Sequence, residues 1–421
     1  MRRDSNFKLN KCIVNINGTG VSIGISDLLQ VRYVEDITKA SSQLWITAQD
    51  SADAKMSEVF GMETVLFEFQ DNNKNVISLA MMVYEVTDRE IIGGTKMKAT
   101  LKCCSPDIIN STSILISSQF ENKNVSDIVT EDLITKILKS SVPIASKDKA
   151  VNKITFVGNK WPVFKVIEWL GGRAIYADKS GKSATAGFLF YQTKSGYHWR
   201  AMDSLVKQEA KFNVKVGIDL SEDQKDSDPS LIDVSDIVVK TSSDVLKGLN
   251  YGSFSSRVTT FDIGTQKVSD FDFDAYSVYN EIPRLNQGTL PQSYSEMKGK
   301  PSRIMTKVIN SKLFNAGDYT KDIPKILSQS AFRTKMFFNK EVRFEFVGDF
   351  LIEVGDVVSL ENYVGRDRQK DPSNSGKYIV GKVVREYISN GEKMTTQVTL
   401  YNDSLGTGQE TQTNSVSSLL N

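Results

Sequence analysis

The chain opens on short runs in which apolar and polar positions alternate. Phe7 to Ile16 is apolar and β-branched, and Val21 to Val34 is a second such run broken at Gly24 and Ser26-Asp27. Leu44 to Thr47 and Val65 to Phe69 follow, the latter stopped by the turn cluster Asp71-Asn72-Asn73. Val76 to Val86 resumes, and Glu90 to Gly94 reads as a turn. In Lys96 to Cys104, Met97, Ala99, Leu101 and Cys103 share one face, while Lys98, Thr100, Lys102 and Cys104 share the other. A period of two with one polar face predicts antiparallel strands wetted on one side. Five or six of them make a small barrel or sandwich, closed by Ser105-Pro106.

The pattern then changes period. Ser126 is placed to cap a helix running to about Ser140, with Val129, Leu133 and Ile137 inward and Pro143 beyond its end. Trp161-Pro162 starts a second helix whose apolar face is Val163, Val166, Ile167 and Leu170. Gly171-Gly172 is expected to end it in the left-handed conformation. A hairpin follows, Gly187 to Gln192 and Tyr197 to Met202 about Lys194-Ser195-Gly196.

Asp219 to Asp236 is acidic and serine-rich and reads as a solvated loop. A short helix near Ser243 to Leu249 precedes strands at Ser253 to Ile263 and Val268 to Tyr276. Residues 280–315 are polar with turn signals, and Asp322 to about Phe338 reads as a helix with Ile323, Ile326, Leu327 and Phe332 inward. Alternation returns in Glu341 to Val347, Leu351 to Val354, Val357 to Leu360 and Lys377 to Tyr387. Asn390-Gly391 is a two-residue hairpin signal before the last strand, Lys393 to Tyr401. Ser404 to Asn421 is rich in Ser, Thr, Gln and Gly, a composition expected of a flexible tail. The fold class is thus mainly β with α+β insertions. Two all-β blocks flank a mixed block, and no sequence repeat relates them.

Composition narrows the chemistry. A length of 421 residues corresponds to about two to four domains. Lys plus Arg total 52 and Asp plus Glu 51, for a formal charge of +1, which argues against gripping nucleic acid with a broad basic surface. No run is long and apolar enough for a membrane helix, and Met1 to Asp4 lacks the apolar core of a secretory signal. His198 is the one histidine, which removes multi-histidine metal sites and leaves a triad a single candidate base. Cys12, Cys103 and Cys104 make no disulfide framework and suit a reducing compartment.

Each motif has a plainer reading. Gly181-Lys182-Ser183 resembles the end of a phosphate loop, but Tyr176 stands where that loop needs glycine. Gly18-Thr19-Gly20 joins two strands, and Gly24 comes one residue late for a dinucleotide fingerprint. Asp270, Asp272, Asp274 and Glu281 match calcium-loop spacing, yet Ala275 replaces the required glycine and Phe271 and Phe273 alternate with the acids as in a half-wet strand. His198 between Tyr197 and Trp199 reads as a packed or hydrogen-bonded strand residue, and Cys103 as a small core residue. No carboxylate pair has a spacing that demands acid–base chemistry. The expectation is no catalytic, cofactor-binding or metal-binding residue and no enzyme.

Two stretches carry a resemblance. Phe156-Val157-Gly158-Asn159-Lys160-Trp161-Pro162 continues through Leu170 to Arg173-Ala174-Ile175, then Ala186 to Thr193 and Tyr197 to Leu205. Gly348-Asp349-Phe350 through Leu360 and Gly376 to Val384 form the second stretch. Together they resemble the baseplate central hub protein of contractile-tailed bacteriophages, related to the hub half of type VI secretion spike proteins. The resemblance spans most of residues 1 to 405.

It implies two tail-tube-like β-barrel domains per chain. The first would be 1–105, with a mixed α+β domain at 106–205. The second would be split into 206–250 and 330–405 around an inserted domain at 251–329, before a tail at 406–421. It further implies a homotrimer forming a pseudo-sixfold ring between a threefold spike and the sixfold tail tube. The implied partners are the tail spike protein, tail tube or tube-initiator proteins, and baseplate wedge and tape-measure proteins. DNA would transit a neutral or acidic channel without specific binding, in a virion assembled in the host cytoplasm. The competing readings are another tail or secretion-system adaptor, such as a wedge or terminator protein, and a glycan hydrolase on a β scaffold.

Overall fold

The computed structural model describes residues 8–50, 56–71, 74–94, 96–177, 184–218, 228, 230–241, 244–286, 298–309, 319–348, 350–389 and 393–404. Seven strands open the chain: β1 (Lys8–Ile16), β2 (Thr19–Ser22), β3 (Leu28–Asp36), β4 (Gln43–Gln49), β5 (Thr64–Gln70), β6 (Val76–Ile92) and β7 (Lys96–Cys104). Their alternation decides the register, because a slip of one residue would turn the apolar set to solvent. In β7, Ala99, Leu101 and Cys103 are fully buried, while Lys98, Thr100 and Lys102 lie half-exposed on the other face. Cys104 is buried as well, although the alternation places it on the wet face. The strands lie in the order β2-β1-β5-β6-β7-β4-β3, every neighbour antiparallel.

The mixed block holds α1 (Pro106–Ser113), β8 (Leu115–Ile116), β9 (Gln119–Asn124), α2 (Val125–Asp127, continuing as a wide helix over Ile128–Leu138), β10 (Ile144–Lys147), β11 (Lys153–Val157), β12 (Trp161–Pro162), α3 (Val163–Gly171), β13 (Ile175–Ala177), β14 (Ala184–Ala186), β15 (Phe188–Thr193), β16 (Gly196–Ala201) and α4 (Met202–Val206). The face expected of α3, Val163, Val166, Ile167 and Leu170, is buried against Phe188 and Trp199. Two local expectations are corrected. The cap of α2 is Asn124, whose side chain accepts from Ser126 N–H at 3.0 Å. Ser126 is instead a buried cross-brace, donating to the Asp148 carbonyl and accepting from Trp199 Nε1. Gly172 ends α3 with φ of −72°, right-handed rather than left-handed.

The chain then runs β17 (Phe212–Val216), β18 (Leu231–Val234), β19 (Ile237–Thr241), α5 (Val245–Asn250), β20 (Ser255–Asp262), β21 (Lys267–Asp274), α6 (Ala275–Val278), β22 (Arg303–Ile309), α7 (Tyr319–Phe337), β23 (Lys340–Val347), β24 (Val357–Val364), β25 (Gln369–Lys370), β26 (Gly376–Ile388) and β27 (Lys393–Asn402). β18 falls in the stretch expected to be an acidic loop, and β22 in the stretch read as turns. The described chain stays packed through Ser404, which is buried.

Apart from the short β25, the second set of strands lies in the order β18-β17-β24-β26-β27-β23-β19. Numbered within its own set, each module reads 2-1-5-6-7-4-3. Both sixth strands bulge at the same register: β6 skips Tyr84 between Val83 and Glu85, and β26 skips Gly381 between Val380 and Lys382. Gly381 has no room for a side chain, since a Cβ there would sit 2.1 Å from a Tyr401 ring carbon. One strand departs from the expected antiparallel pattern: β17 runs parallel to β18 and β24, whereas β1 is antiparallel to its two neighbours. Residues 245–337 lie between the third and fourth strands of the second module, where the first has only the β3–β4 turn. In that insertion β20 pairs with β21 and β22.

Candidate functional site: a shared polar face and a locked junction

The two modules are sewn into one sheet. Gln30 to Asp36 of β3 pair antiparallel with Ile388 to Lys382 of β26. This gives eight consecutive antiparallel strands, β19-β23-β27-β26-β3-β4-β7-β6. Side chains paired across neighbouring strands share a face. One row away from the cores runs Val347, Thr395, Glu386, Arg32, Trp45, Lys102 and Glu85. The next runs Glu345, Gln397, Val384, Val34, Gln43 and Cys104, with Val384, Val34 and Cys104 buried, and the one after it Val238, Arg343, Thr399, Lys382 and Asp36.

Acids and bases interleave on this face and neutralise one another. Lys102 meets Glu85 at 3.0 Å, Lys98 meets Glu90 at 3.3 Å and Arg343 meets Glu341 at 2.5 Å. Gln30 donates to Glu386 at 2.5 Å and Gln397 to Glu345 at 3.0 Å. The Arg32 guanidinium lies 5.1 Å from the Trp45 ring centroid. Such exposed pairs each contribute roughly 0–1 kcal/mol. Their consequence is electrostatic: the face shows no broad field of one sign.

Behind the seam the mixed block is anchored by buried charge. Arg333 on α7 bonds Asp203 of α4 and Asp403 past β27, both at 2.8 Å, and donates to the Pro283 carbonyl. Burial opposes the charge on Arg333, but Asp403 and Asp203 outweigh it and hold the guanidinium protonated. At the seam Glu35 accepts from Tyr33 Oη and Lys194 N–H, with Arg385 Nη1 at 3.6 Å. Burial raises the Glu35 pKa and Glu353 adds to it, against the pull of Arg385 and Lys194. Lys194 also reaches Glu353 at 3.2 Å, so the β15–β16 turn is clamped between both modules. Gly355, at φ of +93°, lies beneath Tyr191, where a Cβ would come within 2.3 Å of Oη. Arg333, Asp203, Asp403, Glu35 and Arg385 carried no signal in the sequence, because single charges in unrelated segments show no periodicity.

His198 is packed and hydrogen-bonded. Its Nδ1 is 2.7 Å from Ser146 Oγ, its Nε2 2.8 Å from Thr193 Oγ1, and its ring stacks on Tyr191 at 4.8 Å. Burial lowers its pKa to about 4, so it is neutral at pH 7. Asp270 accepts from Thr259, Asp272 pairs with Arg257, and Asp274 caps α6 through Tyr276 N–H. Among the described residues no cluster of His, Cys, Asp and Glu is arranged to hold a metal. Gly181-Lys182-Ser183 lies outside the described residues. Among the described residues no helix is long and apolar enough to cross a membrane.

No protein-family model and no curated protein matches the sequence. In structure the chain is similar to the tail protein from Neisseria meningitidis MC58, with a TM-score of 0.56 over 96% of this chain and 98% of that one, at 8% identity. It is also similar to the 43 kDa tail protein of prophage MuSo2 from Shewanella oneidensis, with a TM-score of 0.51 over 94% of this chain and 99% of that one, at 8% identity. The chain has the mainly β fold of these tail proteins.

Proposed function

We propose that the chain is the central hub of a phage tail baseplate, a homotrimer whose six β modules form a pseudo-sixfold ring. The observation that carries this reading is the duplication: one chain holds two modules of the same strand order, joined edge to edge. A threefold assembly can offer six similar docking edges only if each chain carries the module twice. The ring joins a threefold spike on one side to the sixfold tail tube on the other, with wedge and tape-measure proteins as further partners. The fold shared with solved tail proteins supports the setting.

The shared polar face lines the channel in this reading. Three copies of the eight-stranded face make twenty-four strands, beyond the roughly 16–18 that already enclose an open aqueous channel. Its paired charges let DNA pass, since a lining that gripped about six to ten phosphates would hold it strongly at low salt. The role is architectural rather than enzymatic, and the protein belongs to the virion, assembled in the host cytoplasm. The domains are the first module at 1–105, the mixed domain at 106–205, the second module at 206–250 with 330–405, the insertion at 251–329 and a tail at 406–421. Electron microscopy of the assembled tail tests this: density for the chain belongs at a threefold position between spike and tube. Density at a peripheral position would favour a wedge protein.

A further inference from the structure

Internal symmetry identifies how one copy meets the next. Within the chain, the third strand of the first module, β3, pairs with the sixth strand of the second, β26. The counterpart of that joint is the third strand of the second module, β19, with the sixth strand of the first, β6. Among the described residues β19 pairs only with β23, and beyond Val83 β6 pairs only with β7. The same two kinds of edge that meet inside the chain are therefore left open at the two ends of the eight-stranded run.

We propose that β19 of one copy pairs antiparallel with Glu85 to Ile91 of β6 in the next copy. This rests on the trimeric reading above and names the edges that close it. The occupant is a second copy of this chain because the chain already supplies the matching edge and its bonded example.

The register follows from the internal example. Fixing the modules by their fifth and seventh strands sets Met82 with Ile379 and Glu85 with Lys382. A further bulge at Asp88, where φ is +52°, then sets Glu90 with Glu386 and Ile91 with Tyr387. Ile237 and Val238 correspond to Val31 and Arg32. Val31 opposite Tyr387 thus becomes Ile237 opposite Ile91, and Arg32 opposite Glu386 becomes Val238 opposite Glu90.

Exposure agrees. Val31 and Tyr387 are buried, whereas their counterparts Ile237 and Ile91 are half-buried and 70% exposed. Covering Ile91 with Ile237 removes apolar surface that the internal joint already hides. Open strand edges are generally covered or blunted, and pairing with a copy covers both at once.

The test is a cysteine pair, Glu90→Cys with Val238→Cys, in the full chain. Opposed strand residues lie about 4.5–5.5 Å apart between Cα atoms, within disulfide reach. Within one chain the two strands stand seven spacings apart, about 34 Å along the sheet, so a bridge must join two copies. The native thiols are buried, Cys12 pushed up to about 12 and Cys104 to about 11, and do not compete. Mild oxidation is expected to give a covalent trimer on a denaturing gel, with each single variant remaining monomeric there. A native trimer of the double variant that yields no covalent trimer overturns the edge assignment and leaves the hub reading standing. A chain that is monomeric by native mass in both wild type and variant overturns both.

Discussion

Arg89 and Arg385 make the same contacts in the two halves of the chain. Arg89 donates to the Val59 carbonyl, and its guanidinium lies 5.4 Å from the Phe60 ring centroid. Arg385 donates to the Ile352 carbonyl at 2.5 Å and lies 5.9 Å from the Phe350 ring centroid. In each module the arginine of the sixth strand clasps the segment that leads into the fifth. The difference is cover: Arg385 is buried under β3 beside Glu35, while Arg89 is exposed.

That contrast predicts unequal costs. Arg385→Ala leaves the buried Glu35 with Lys194 as its remaining cation, a loss that approaches the about 3–5 kcal/mol of breaking a buried pair. Arg89→Ala should cost the isolated chain under about 1 kcal/mol, the scale of exposed interactions. Urea denaturation of both variants measures the difference. Equal losses would mean that the seam does not bury Arg385 as described.

The Arg333 clasp predicts a second large loss. Asp203→Ala or Asp403→Ala each leaves the fully buried guanidinium one remaining carboxylate, so each should cost less than the about 3–5 kcal/mol of a buried charge left without a partner. The double variant should cost more than the sum of the two, since it alone leaves the buried guanidinium with neither carboxylate. Additive losses would show that the two carboxylates do not share it.

His198 predicts a pH signature. It stays neutral in the fold down to about pH 4, whereas in the unfolded chain it protonates near the ordinary histidine value of 6.5. Between those values the unfolded chain binds more protons, so stability falls as pH falls. Wild type should lose up to about 3 kcal/mol more than His198→Gln between pH 7 and pH 4. Parallel pH profiles, or a hydrolase activity abolished by the substitution, would contradict a neutral, packed histidine.

How far the sequence carried this picture depended on what each segment buries. Most strands of the first module were legible because alternation and a single wet face coincide, as in Ala99, Leu101 and Cys103 against Lys98, Thr100 and Lys102, but Glu90 to Ile92, expected to turn, continues β6. β22 was not, since Arg303, Thr306 and Lys307 interrupt its apolar positions and most of it is exposed. β18 is four residues inside an acidic stretch, too short for a period. The polar face was invisible for another reason. It is a property of register between β3 and β26, some 350 residues apart, and no local pattern encodes it. The duplication likewise survives in strand order and in the bulges at Tyr84 and Gly381, not in residue identity.

The polar face predicts weak traffic with DNA. The native assembly should bind duplex DNA poorly at moderate salt. Replacing Glu85, Glu345 and Glu386 by Lys removes partners of Lys102, Gln397 and Gln30 and should create salt-sensitive binding. A filter or gel-shift titration against salt measures both. Tight binding by the native assembly would show a lining that holds DNA.

The most direct test of the account is the native mass of the purified chain at micromolar concentration. One chain is 46.9 kDa, and the account predicts a species of three chains, about 141 kDa, appearing as a ring in projection. A single species at the mass of one or two chains, with no threefold ring in the particle, would contradict the hub.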